Sequence, residues 1–135
     1  MLQSIYSVII ILHGLVHMWY VTLAQRWVSF EPDMGWTSNS WIFTNTIGDA
    51  ATRTLATIVY SLSTLAFLIG GIGIFVRADW WTSLITGAAI LSSIGILLFW
   101  DGSTGMLVQK GLIGLLINIA LLVSLLLFNW PANQL

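Results

Sequence analysis

Apolar positions run in four long blocks separated by short polar segments. The blocks cover about Ile5 to Ala24, Leu55 to Val76, Trp81 to Phe99 and Gly111 to Phe128. Each approaches the roughly 20 residues that a helix needs to cross ~30 Å of hydrocarbon. Lipid offers no partner to a free backbone amide, so each block is expected to be a helix. The runs are too continuous for the alternating pattern of a membrane strand. Charges punctuate the blocks. Arg26 closes the first, Arg53 and Arg77 bracket the second, Asp79 and Asp101 bracket the third, and Lys110 opens the fourth.

The connections differ in kind. Arg77-Ala78-Asp79 is short enough to force an antiparallel hairpin, and the turn residues Asp101 to Gly105 make a second tight return. The one long connector, about residues 25–51, mixes Trp27, Phe30, Trp36, Trp41 and Phe43 with polar residues. That composition suits a segment lying in the bilayer interface. Trp80, Trp81, Trp100 and Trp130 sit at block ends, where indoles anchor helices at the membrane boundary. Asp49 is expected to cap the second helix, with Arg53 one turn later on the same face. Ala88, Ala89, Ser92 and Ser93 form small-xxx-small pairs that let helices approach. The expected architecture is an all-α membrane protein: one domain, an antiparallel bundle of four transmembrane helices with a Trp-rich interfacial loop between the first two.

Composition supports this picture and narrows the function. Of the 135 residues, 58% are hydrophobic and 7% charged, with mean hydropathy +0.94. A soluble domain carries about 25% charged residues. An ordinary soluble enzyme, a disordered linker and a basic nucleic-acid binder are thereby excluded. Cysteine is absent, which removes disulfides, thiolate metal sites and thiol redox chemistry. No Lys or Arg precedes the first block, so it reads as a retained helix rather than a signal peptide. Arg26, Arg53 and Lys110 on one side against Arg77 on the other lean toward a cytoplasmic long loop with both termini outside. Asp49, Arg53, Asp101 and Lys110 gather on the long-loop side as a candidate polar mouth, with interfacial ion pairs as the plainer account.

The chemical lead is a pair of histidines, His13 and His17, inside the first block. His13 lies ~20 Å of helical rise from Arg26, near mid-bilayer. The i, i+4 spacing puts both rings on one face, and Tyr6 and Tyr20 extend that face by two turns in each direction. Ionisable residues at such depth face the bundle interior. Asn118 in the fourth block and Tyr60, Ser61, Ser63 and Thr64 in the second fall at similar depth.

Several roles fit this stripe. Neutral imidazoles bonded to Asn118, Tyr60, Ser63 or backbone carbonyls fix helix register. A quinone carbonyl can take an imidazole N–H, with His13, His17, Tyr20 and Asn118 as the binding set. A haem can take one axial His, the second having to come from another chain. A metal held by both rings lacks a third strong ligand unless Met18 or a loop carboxylate joins, so no metal is assigned. A half-channel for protons through His17, Asp49 or Asp101, and Lys110 stops at mid-membrane. A membrane enzyme acting on a lipophilic substrate needs a His base oriented by Asp49 or Asp101.

Gly14-Leu15-Val16-His17, Trp80-Trp81 and Leu97-Leu98-Phe99-Trp100-Asp101-Gly102 resemble stretches of the DoxX-like group and related small bacterial four-helix membrane proteins. Gln3 stands where that group usually has a leading Arg. The resemblance implies a prokaryotic plasma membrane and a respiratory or redox neighbourhood. With so little chemistry on the chain, the reading is a non-catalytic accessory subunit of a larger membrane assembly. Its partners are lipid and other subunits, or further copies of itself, and not nucleic acid. The alternative is a redox protein binding quinone or haem along His13 and His17.

Overall fold

The computed structural model describes residues 1–134, the side chains of Pro32 and Gln134 excepted. It is all-helical, with no strand among the described residues. Helix α1 (Leu2–Ala24) leads through a 3-10 turn (Pro32–Met34) and a short α2 (Phe43–Ile47) into α3 (Asp49–Phe75). Helices α4 (Trp81–Leu98) and α5 (Leu112–Leu127) follow, then a 3-10 turn at the C-terminal end. Helices α1, α3 and α4 are long and apolar enough to cross a membrane. Helix α5 is equally apolar but has 16 residues, ~24 Å of rise.

Side-chain pairings set the directions. Gln3 meets Ile74, Ser7 meets Gly71, and Gln25 meets Thr57, so α1 and α3 run antiparallel. Asn118 meets Ser92, and Ile96 meets Gly111, so α4 and α5 do too. Neighbours pack in the order α1, α3, α4, α5, and α5 returns to α1 chiefly through side chains. At the tightest crossing, a Cβ added to Gly14 would lie 2.6 Å from the Phe67 Cβ and 3.3 Å from the Thr64 carbonyl oxygen. Only glycine permits α1 and α3 to approach this closely there.

Both α1 and α3 end in the same device. Arg26 (φ 56°) and Arg77 (φ 57°) take the left-handed position that follows a helix. Behind them the amides of Trp27 and Ala78 reach back to the carbonyls of Thr22 and Gly73. Glycine usually fills this position. An arginine there carries its charge to the negative end of the helix dipole.

One expectation at the start of α3 needs correction. Helix α3 begins at Asp49, six residues before the apolar block, because polar residues 49–54 also hold helical backbone. Gly48 (φ 87°) is its N-cap, and Asp49 is a first-turn residue that makes no side-chain cap. Its carboxylate instead pairs with Arg53 one turn on.

The long connector packs onto the bundle. It lies over the C-terminal end of α4, whose last carbonyls have no partner within the helix. Trp41 Nε1 donates to the Leu97 carbonyl (2.9 Å) and Ser40 Oγ to that of Leu98 (2.5 Å). Trp36 Nε1 donates to Phe99 O (2.7 Å), and the Trp41 amide to Trp100 O (2.8 Å). Trp36, expected among the interfacial indoles, is only 2% exposed and packs with Tyr20, Tyr60 and Phe99. Trp27 and Trp41 remain exposed.

Candidate functional site

The histidine stripe of α1 faces α4 and α5. His13 is 7% exposed, His17 2%, and Ser92 and Asn118 0%. Four groups form a chain of hydrogen bonds whose direction is fixed at one end. His17 Nδ1 faces the His13 carbonyl oxygen at 3.0 Å. A carbonyl only accepts, so Nδ1 carries the hydrogen. The neutral ring then has a lone pair at Nε2, which accepts from the Ser92 hydroxyl at 2.5 Å. Ser92 Oγ in turn accepts from Asn118 Nδ2 at 2.9 Å. That leaves Asn118 Oδ1 to accept from His13 Nε2–H at 2.8 Å. Flipping the amide would aim Oδ1 at a serine oxygen whose hydrogen is already given to His17. The loop therefore has one consistent direction, with both rings neutral.

This loop ties α1, α4 and α5 at one depth. Phe67 from α3 seals its side, edge-on to His13 with centroids 4.8 Å apart and tilted against His17 at 5.5 Å. An apolar enclosure makes each unmade bond costly, so full pairing is what stabilises the arrangement.

The other candidates occupy different places. Tyr60 and Ser63 do not reach the imidazole nitrogens. Ser63 Oγ donates to Val59 O within its own helix, and Tyr60 stacks on Tyr20 with centroids 4.9 Å apart. Tyr20 thus joins the aromatic layer beneath Trp36, and its hydroxyl lies 3.5 Å from Gln109 O. The four residues of the expected polar mouth form two separate ion-paired groups. Asp49 accepts from Arg53 Nε at 3.0 Å and from Arg26 Nη2 at 3.0 Å. Lys110 Nζ reaches Asp101 at 2.9 Å and also donates to the Ser103 hydroxyl. Burial works against the Asp101 carboxylate. Hydrogen bonds from Lys110 and from Ser103 outweigh it and hold the group below its ordinary 3.8. Neither carboxylate contacts a histidine among the described residues, so neither orients an imidazole base.

Ser92 is the member that the sequence pattern did not single out. Its signal was a small residue at helix-packing spacing, which conceals the hydroxyl. A serine oxygen on an imidazole nitrogen is the pairing of a nucleophile and its base. Here the oxygen also accepts from Asn118 and is wholly buried, so it serves as a link in the brace.

The arrangement limits what the rings can hold. Both imidazole N–H groups and His17 Nε2 are already bonded. His13 Nδ1 is the ring atom without a hydrogen-bond partner among the described residues. Compared with protein-family models, curated proteins and solved structures, the chain matches none.

Proposed function

We propose that this chain is a non-catalytic helical subunit of a larger membrane assembly. The supporting observation is the closed loop of His13, Asn118, Ser92 and His17. It uses the deepest polar groups to hold helices together and leaves them little capacity for chemistry. Composition supports the same reading: mostly apolar helix offers a surface for other helices and for lipid. The DoxX-like resemblance of Gly14 to His17 supports placing it in a prokaryotic plasma membrane beside respiratory or redox components, and the likeness of Leu97 to Gly102 to uncharacterised bacterial relatives supports the same kind of membrane. The bias of Arg26, Arg53 and Lys110 supports a cytoplasmic connector.

The test is purification of the tagged chain from its native membrane in mild detergent. The expected result is a discrete species with companion subunits, or with further copies of the chain. A lone monomer contradicts the proposal.

A second reading has one atom in its favour. His13 Nδ1 can accept a hydrogen bond from a quinol hydroxyl without breaking the loop, whereas haem ligation through the usual Nε2 would displace Asn118. A quinone carbonyl needs a donor and is disfavoured, since both N–H groups are committed. Quinol in a solvent extract would support this reading, and a Soret band would contradict the closed loop.

A further inference from the structure

We propose that the pocket beneath the first turn of the long connector binds a phosphate group, on an anionic phospholipid headgroup or free in solution. The pocket is an open cleft of about 430 Å³, a size suited to a small ligand. It lies at the C-terminal end of α1, the level at which a bilayer presents its headgroups. Its lining contains one charged residue, Arg26, and no carboxylate.

The donors there are available. Arg26 meets Asp49 through Nη2 alone, so Nε and Nη1 have no partner among the described residues. Asp49 is shared with Arg53, and the three side chains together keep one positive charge. Ser38 lines the same pocket, and its hydroxyl makes no hydrogen bond among the described residues, so it is free to meet a ligand from the pocket. An incoming acceptor oxygen can take its hydrogen. The amides of Val28, Ser29 and Ser38 are likewise unbonded among the described residues and add donors to the lining. A cation, a hydroxyl and free amides around one cavity match an anion with several acceptor oxygens. Exposed Trp27 and Phe30 edge the same pocket and suit the glycerol and acyl portion of a lipid.

This assignment does not depend on the accessory-subunit reading. Its test is native mass spectrometry of the purified protein with added phosphatidylglycerol or diacylglycerol, together with a thermal-shift titration using potassium phosphate. The expected result is selective retention of phosphatidylglycerol, falling about tenfold in Arg26→Gln and in Ser38→Gly, as loss of one hydrogen bond to a charged group implies. Ser38 sits at φ 62°, so glycine there relieves backbone strain and the variant folds at least as well. Stabilisation by potassium phosphate without lipid retention, lost in the same variants, assigns the site to a soluble phosphate. Equal retention of the two lipids with no effect of potassium phosphate overturns the proposal, as does binding unchanged in both variants.

Discussion

His13 Nε2 and Asn118 Oδ1 lie 2.8 Å apart across the seam between α1 and α5, the pair of neighbouring helices with the least backbone contact. Replacing Asn118 by Leu strands the His13 N–H in an apolar enclosure and removes a bond to Ser92. The expected loss is about 2–3 kcal/mol of unfolding free energy in detergent. His13→Leu is expected to destabilise as well. Because one bond is shared, the double variant should lose about 1 kcal/mol less than the sum of the singles. Full additivity would contradict the link.

Trp36 acts as a cap as much as a core residue. Trp36→Phe keeps most of the apolar ring and removes the N–H bonded to Phe99 O. A loss of about 1–2 kcal/mol and faster proteolysis of the connector are expected. Trp41→Phe, at an exposed indole, should cost about 0.5 kcal/mol or less. Equal effects of the two substitutions would contradict the capping role.

Asp101 sets an acid limit on the α4–α5 connection. Its carboxylate is held below 3.8 when folded, so its stabilising contribution is complete above that value. The contribution is lost as pH falls through the lower folded value. Unfolding measured from pH 7 down to pH 2 should show a decline in the acid range that is smaller in Asp101→Asn. An identical acid response in that variant would contradict the pairing with Lys110.

Two glycines should respond oppositely to alanine. At Gly14 the added methyl meets the Phe67 Cβ and the Thr64 carbonyl, so α1 and α3 must separate. A loss of about 1–3 kcal/mol is expected. At Gly87 nothing lies within 4 Å, and Gly87→Ala should stabilise helix α4 by about 0.5–1 kcal/mol. Thermal unfolding of both variants checks the contrast.

The four apolar helices were legible because hydropathy reports burial in lipid without needing tertiary information. The start of α3 was legible to within one residue from Asp49 as a capping residue, although Gly48 takes the cap position and hydropathy marks only the apolar block. The two histidines were legible as a shared face from their spacing, and Asn118 from its depth. Ser92 was not, because its role depends on which side of α4 turns toward His17. Trp36 reads like its neighbours in the connector. What separates it is a carbonyl 63 residues away, at the end of another helix.

The central claim is the single direction of the hydrogen-bond loop, and ¹⁵N NMR of histidine-labelled protein in bilayers reads it directly. Two neutral rings of opposite tautomer are predicted, His17 protonated at Nδ1 and His13 at Nε2, assigned by the His13→Leu and Asn118→Leu variants. Two rings of the same tautomer, or a charged imidazolium at neutral pH, would contradict the brace.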